Sequence, residues 1–218
     1  PGGAAGTSEE IYQAVNAIAN KKTVYASIGN MGCSGAYMIA CAAHSIIANE
    51  MSIIGSVGVV MQIPNISKIK EKIGIDMITI KSGKMKDIGN MFRDMNEEER
   101  AYIQTLSDEY HQKFIDLVKT SRYRMLAGHN IDEILKNFNV DEILDGRILS
   151  SKTALKYGLI DDIGTYTDAL RLLCQRVGTD LTKVNIIRDK TKNNIINKIM
   201  SLSSQNMIES LFNNICLK

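Results

Sequence analysis

The sequence predicts an α/β protein with a mostly parallel sheet, and two observations support this prediction. Short apolar, β-branched runs alternate along the chain with longer segments of helical periodicity. The clearest pair is a mostly apolar run at 23–28, typical of a buried parallel strand, followed by small residues at 34–43 that suit a tightly packed helix. A chain of 218 residues with 44% hydrophobic residues is long enough to bury one such core.

The other elements are predicted from the same two periodicities. The first is an amphipathic helix at 8–19, where apolar residues recur on one face. A long helix begins near Asn96, which forms a capping-box pattern with Glu99. Further strands are predicted at 45–48, 57–61, 76–80 and 184–187. Further helices are predicted at 66–73, 131–138, 152–157 and 167–177.

Composition separates the chain into a predicted domain at 1–188 and an amphipathic C-terminal tail at 189–218, which is rich in Asn, Ser and Lys. A net charge of +2 without a basic, aromatic-interleaved stripe argues against a nucleic-acid partner. The four cysteines lack metal-ligand spacing, so we expect no metal site and no cofactor. Because the chain starts at Pro1 without a methionine, we expect that an upstream segment has been removed.

Ser34 is the candidate nucleophile. It follows a glycine-rich turn and opens the predicted helix, where its hydroxyl can be exposed and backbone N–H groups point outward. The same position also suits a serine that only caps the helix. Cys33 is a rival nucleophile, but its side chain should point away from a site that contains Ser34.

The base that would activate this hydroxyl is not an obvious histidine. His44 lies ten residues on, about 15 Å along the same predicted helix, and His111 and His129 are expected at the surface. The remaining candidates are the three lysines of the turn Lys81-Ser82-Gly83-Lys84-Met85-Lys86-Asp87, and residue type alone does not choose among them. A lysine is a base only when its amine is neutral. At an ordinary pKa near 10.4, about one lysine side chain in 2,500 is neutral at pH 7. A catalytic lysine therefore needs desolvation to lower its pKa.

Several further motifs occur in order along the chain. They are Pro1-Gly2-Gly3, Gly32-Cys33-Ser34-Gly35-Ala36-Tyr37, Gly55-Ser56-Val57-Gly58-Val59, Phe92-Arg93-Asp94-Met95, Asp145-Gly146-Arg147 and Gly158-Leu159-Ile160-Asp161. With these motifs the sequence resembles the signal peptide peptidases of the S49 serine peptidase family, in their short single-domain form, from residue 1 to about 187.

The resemblance implies a ClpP/crotonase-like fold of stacked ββα units, with N-terminal strands truncated from this chain. It implies that Ser34 is the nucleophile and that Lys86 is the general base. It places the N–H groups of Gly3 and Gly35 in the oxyanion hole, and it makes Ser56 a hydrogen-bond partner of the lysine amine.

The resemblance also implies a function. The family degrades cleaved signal peptides and similar hydrophobic peptides through an acyl-enzyme, at the bacterial cell membrane with the catalytic domain outside the cytoplasm. Its members form ring- or dome-shaped homo-oligomers in which Ser34 and Lys86 would come from neighbouring protomers. The membrane anchor would precede this chain.

Other functions remain open at this stage. They are another S49 peptidase, such as a capsid-maturation protease, and a non-catalytic, membrane-associated scaffold of the same fold. A Clp-type protease is disfavoured because no histidine follows Ser34 at about 25 positions. A crotonase-type acyl-CoA enzyme would leave the motifs around Ser34 and Lys86 unexplained.

Overall fold

A computed structural model of the protein describes residues 1–124 and 140–188. The chain divides into two units, Pro1–Leu181 and Thr182–Lys218. The predicted helix at 131–138, His129 and the predicted tail at 189–218 lie outside the described residues.

Strands and helices are interspersed along the described chain. The helices are α1 (Ala5–Ala19), α2 (Gly35–Ala40), α3 (Ser67–Ile73), α4 (Glu97–Arg124), α5 (Val140–Ile143), α6 (Ser151–Lys156) and α7 (Tyr166–Arg176), followed by a 3-10 turn at Leu181–Lys183. The strands are β1 (Tyr25–Ile28), β2 (Met31–Cys33), β3 (Ser45–Ala48), β4 (Ile53–Gly55), β5 (Ile148–Ser150) and β6 (Asp162–Ile163).

The strands form two three-stranded sheets. One has the order β1-β3-β6 and is parallel throughout, with Tyr25 opposite Ser45 and Ile28 opposite Ala48. The other has the order β2-β4-β5, in which β2 and β4 are parallel and β4 and β5 are antiparallel. The prediction of an α/β protein is therefore confirmed.

The core lies between the helices and these strands. Tyr37 of α2 is fully buried, and its hydroxyl donates a hydrogen bond to the carbonyl of Leu159 (2.7 Å). Arg122 of α4 is 4% exposed and donates to a carboxylate oxygen of Asp161 (2.6 Å), which joins the long helix to the segment before β6. Other fully buried apolar side chains in the described part of the chain include those of Ile46, Ile47, Ile54, Val57, Val118, Leu144, Leu159 and Ile160.

Three strand predictions are wrong. Residues 57–61, 76–80 and 184–187 form no strand, and no described strand lies in register beside them. A β-branched run gains its ladder only from a partner strand, so pattern alone overestimates strands. The side chains of Ile78 and Ile80 are instead 87% and 95% exposed.

The helical predictions agree better with the structure. The strand at 45–48 is confirmed, and the helices at 8–19, 34–43 and 66–73 overlap α1, α2 and α3. Strand β2 was not predicted, because three residues within a glycine-rich turn show no alternation.

None of the helices in the described part of the chain has the length and hydropathy that crossing a membrane requires.

Candidate active site

Ser34 occupies a strained position between β2 and α2. Within residues 1–124 and 140–188, Ser34 (54°) and Ser56 (49°) are the only residues other than glycine with a positive φ. This conformation is unfavourable for a side chain with a Cβ, and such strain persists where the surrounding structure fixes it, often at functional sites. Ser34 is the N-cap residue of α2, but its side chain makes no capping hydrogen bond. The expectation of a serine that only caps the helix therefore does not fit its geometry.

The glycines near the start of the chain pack directly against Ser34. A Cβ added to Gly2 would lie 2.6 Å from Cβ and 2.7 Å from Oγ of Ser34. A Cβ added to Gly35 would lie 2.2 Å from Oγ of Ser8 and 3.2 Å from the backbone N of Gly3. The turn at 1–3 can approach the start of α2 only because these positions carry no side chain.

An apolar cavity of about 290 Å³ opens beside Ser34. Its lining comes from the 3–8 segment, the start of α2, the segment after Ser56, and α4. The lining residues include Met38, Val59, Val60, Met61, Tyr110 and Phe114. Its size and chemistry fit an aliphatic side chain of a bound peptide.

A second cavity of about 230 Å³ is lined by both Ser34 and Ser56, and also by His111. His111 is half-buried on α4, so the expectation of a surface histidine is wrong. Its Nε2 lies 3.0 Å from the carbonyl oxygen of Val57 and 2.7 Å from that of Leu144. Since carbonyl oxygens only accept, this nitrogen carries a proton and donates it, and it is not free to take one from Ser34.

The other rivals for the chemistry are occupied elsewhere. Nδ1 of His44 accepts a hydrogen bond from the backbone N–H of Val24 (3.1 Å). The thiol of Cys33 is 5% exposed and donates to the carbonyl of Ile53 (3.5 Å), as expected for a packed cysteine. Burial raises the pKa of the Cys33 thiol, which disfavours the nucleophilic thiolate.

The structure distinguishes the three lysines of the 81–87 turn. Lys81 binds the carboxylate of Asp87 (2.5 Å), and Lys84 binds the carboxylate of Glu98. The amine of Lys86 is exposed and has no hydrogen-bond or carboxylate partner among the described residues. Lys86 is also absent from the lining of the two cavities that contain Ser34. The described chain therefore brings Ser34, Gly35, Gly3 and Ser56 to two adjoining cavities, and Lys86 lines neither of them.

Comparison with known proteins identifies the family. The model of peptidase family S49 matches residues 16–180. The chain belongs to peptidase family S49. This S49 chain is 39% identical over 175 residues to a protein of Methanocaldococcus jannaschii named as a putative protease, covering 80% of this chain and 53% of that protein.

Two further relatives carry more specific names. The S49 chain is 32% identical to a putative signal peptide peptidase SppA of Enterococcus faecium, over 88% of this chain and 53% of that protein. It is 30% identical to the chloroplastic serine protease SPPA of Arabidopsis thaliana, over 84% of this chain and 26% of that protein. The chain thus spans only part of the length of these relatives.

Sequence reasoning missed some residues of the S49 site. Gly2, rather than Gly3, makes the close approach to the Ser34 side chain, and Ser8 lies buried beside Gly35. The run of two glycines after Pro1 signalled a close approach but did not show which glycine makes it. Ser8 belongs to a motif of the family resemblance, Ser8-Glu9-Glu10-Ile11, but its contact with Gly35 was not predicted, because it joins residues that are distant in sequence.

Proposed function

We propose that this S49 chain is the catalytic part of a serine endopeptidase in which Ser34 is the nucleophile and Lys86 the general base. The observation that carries the proposal is the strained backbone of Ser34 at the start of α2, beside an apolar cavity and against a turn of glycines. A serine fixed there presents its hydroxyl to a bound peptide without rearrangement of the backbone.

Two backbone amides support an oxyanion hole. The N–H of Gly35, as the first residue of α2, has no acceptor within the helix. The N–H of Gly3 donates to no other described residue, and a Cβ added to Gly35 would lie 3.2 Å from its nitrogen. Both amides are near Ser34, so we assign them to the oxygen that becomes negatively charged when Ser34 attacks a carbonyl.

The pairing of the neighbouring lysines supports Lys86 as the base. Lys81 and Lys84 each have a carboxylate partner that engages the amine. The amine of Lys86 has none among the described residues, so a desolvating environment can make it neutral.

We propose that a second copy of the chain brings Lys86 to Ser34 in a ring- or dome-shaped homo-oligomer. Lys86 lines neither of the cavities that contain its own Ser34, which agrees with a pair completed by a neighbouring copy. The segment just before the lysine turn supports an interface, because it exposes a group of large apolar side chains. These are Ile69, Ile73, Ile75, Met77, Ile78 and Ile80.

The reaction then follows from these positions. Neutral Lys86 takes the proton of Ser34 as Oγ attacks the peptide carbonyl, and the amides of Gly3 and Gly35 stabilise the oxyanion. The ammonium of Lys86 gives this proton to the leaving amine, which departs and leaves an acyl-enzyme on Ser34. Lys86 then takes a proton from a water molecule, whose oxygen attacks the ester carbonyl. The bond to Oγ breaks, the ammonium returns its proton to Oγ, and the acyl group leaves as a carboxylic acid.

The substrate proposal rests on the segment 59–61. The amides of Val59, Val60 and Met61 make no backbone hydrogen bond to other described residues, and this segment lines the apolar cavity beside Ser34. An extended peptide can pair with such a free edge while it places an aliphatic side chain in the cavity. We propose that cleaved signal peptides and similar hydrophobic peptides are the substrates, at the bacterial cell membrane and outside the cytoplasm.

The strand order supports a fold proposal as well. The first four strands alternate between the two sheets, since β1 and β3 pair in one and β2 and β4 in the other. The order β1-β2-α2 followed by β3-β4 fits the stacked ββα units of a ClpP/crotonase-like fold.

The proposal is tested with the full-length protein that contains this chain and a fluorogenic hydrophobic peptide. Ser34→Ala and Lys86→Ala should each abolish hydrolysis. Lys84→Ala is the matched control, because it removes an exposed lysine of the same turn and should leave activity within about twofold of wild type. Full activity in Ser34→Ala or Lys86→Ala would show that the pair is not catalytic, and an equal loss in Lys84→Ala would show that the turn is merely structural.

A further inference from the structure

The residue that follows Lys86 is fixed by two cations. Oδ1 of Asp87 accepts from Nζ of Lys81 (2.5 Å), and Oδ2 accepts from Nε of Arg93 (2.8 Å). Nη2 of Arg93 also donates to the backbone carbonyl of Asp87 (3.2 Å). Arg93 therefore holds both the side chain and the backbone of the residue adjacent to the proposed base.

The remaining donors of Arg93 reach the first turn of α4. Nη1 and Nη2 bind the two carboxylate oxygens of Glu99 (2.8 and 2.5 Å), and Nη1 also donates to the backbone carbonyl of Asp94 (3.0 Å). The guanidinium of Arg93 makes a bidentate contact to one carboxylate and a further hydrogen bond to another. These bonds fix its orientation, and the single amine of a lysine cannot reproduce them.

Glu99 is itself fixed. It is 1% exposed, its backbone N–H donates to Oδ1 of Asn96 (2.8 Å), and its carboxylate accepts from the N–H of Asn96 (3.2 Å). This reciprocal capping box confirms the predicted helix start and places the carboxylate at the positive end of α4. Glu99 thus connects a 28-residue helix to Arg93.

We propose that Arg93 and Glu99 are positioning residues that hold the 81–87 turn in the conformation that presents the Lys86 amine. The inference rests on the proposed role of Lys86 as the general base. Lys86 has no side-chain partner among the described residues, so its location depends on the backbone of the turn. Arg93 connects that backbone, through Asp87, to Glu99.

A neighbouring ion pair provides a matched comparison. Lys84 and Glu98 also join the turn to α4, but their side chains are 71% and 59% exposed. Exposed ion pairs of this kind contribute little to the free energy that stabilises a folded conformation. Glu98→Gln and Glu99→Gln are the same chemical change at adjacent positions, and only Glu99→Gln should affect the turn.

The test measures how fast a serine-directed fluorophosphonate labels Ser34 in the full-length protein, because labelling reports the reactivity of the hydroxyl. Glu99→Gln and Arg93→Lys should each slow labelling about tenfold, and kcat for a peptide should fall similarly while KM stays nearly constant. Glu98→Gln should match wild type. The same variants are then made in a Lys86→Ala background, where Glu99→Gln should have no further effect on labelling.

The outcomes separate the two proposals. If Glu99→Gln slows labelling equally with and without Lys86, it acts on Ser34 or on the fold, and the positioning role is wrong. If Glu99→Gln and Arg93→Lys both match Glu98→Gln, the positioning role is also wrong. If Lys86→Ala itself leaves labelling unchanged, the proposed base is wrong, whatever Glu99 does. Thermal unfolding of each variant shows whether a slower labelling rate is due only to misfolding. Arg93→Lys keeps the positive charge and is the second variant, for use if Glu99→Gln does not fold.

Discussion

The backbone N–H of Ser34 donates a hydrogen bond to the carbonyl of Gly55 (2.8 Å), one residue before Ser56. This bond links the turn that carries the proposed nucleophile to the turn that carries the second strained serine. The N–H of Ser56 in turn donates to the carbonyl of Arg147 (2.8 Å). The two serines that line one cavity are therefore held by a continuous set of backbone bonds.

Substitutions at Ser56 should separate activity from stability. Ser56→Ala keeps the strained backbone and removes the hydroxyl proposed to bind Lys86, so kcat/KM should fall about tenfold with little change in Tm. Ser56→Gly removes the same hydroxyl and also the backbone strain, because glycine adopts a positive φ without a steric cost. Activity should therefore fall as much as in Ser56→Ala, while Tm stays the same or rises. Peptide hydrolysis and thermal unfolding measure the two effects. Wild-type activity in both variants would exclude a role for the hydroxyl.

The close approach of Gly2 to Ser34 predicts a difference between adjacent glycines. Gly2→Ala puts a methyl group within 2.7 Å of the Ser34 hydroxyl, so kcat should fall about a hundredfold as the turn or the serine shifts. Gly3→Ala meets only Oγ of Ser8 at 3.7 Å and keeps its N–H, so activity should remain near wild type. Equal activities of the two variants in a peptide assay would contradict this packing.

His111 should act as a fixed donor rather than as a base. His111→Gln keeps an N–H near the carbonyls of Val57 and Leu144, whereas His111→Leu leaves both without this donor. We expect His111→Leu to lose about 1–3 kcal/mol of unfolding free energy and His111→Gln to lose less. Denaturant unfolding measures both values. A complete loss of activity in a folded His111→Gln protein would instead indicate that the imidazole takes part in proton transfer.

The carboxylates around Arg93 predict a pH dependence of stability. Hydrogen bonds from Arg93 hold the pKa values of Asp87 and Glu99 below their usual range, and Lys81 adds to the effect at Asp87. A folded-state pKa below the unfolded value stabilises the fold at pH values above the unfolded pKa, and this stability is lost on acidification. The Tm difference between wild type and Glu99→Gln should therefore be largest above about pH 5 and should shrink below about pH 4. A difference that does not vary with pH would mean that Glu99 is not ionised in the folded protein.

Local sequence was sufficient to make Ser34 a candidate, because a glycine-rich turn between a β-branched run and a run of small residues is itself a structural signal. It could not choose Lys86 from the residue types of the turn. The partners that occupy the other two lysines are Asp87 and Glu98, and the second of these is brought close only by the fold. The choice of Lys86 as the proposed base came from the family resemblance.

The errors have a common cause. The run at 76–80 has strand-like residues, but no described strand lies beside it, and periodicity does not report the partner. His111 falls at a helical position that looked like surface, yet carbonyls from residues 57 and 144 converge on its ring. Contacts between residues that are distant in sequence decide both cases.

Mixing two inactive variants tests the central claim most directly. Ser34→Ala supplies Lys86 without a nucleophile, and Lys86→Ala supplies Ser34 without a base. If neighbouring copies complete the site, exchange of subunits between the two purified proteins should restore peptide hydrolysis, because some junctions then join an intact Ser34 to an intact Lys86. Verified subunit exchange with no recovered activity would contradict the account.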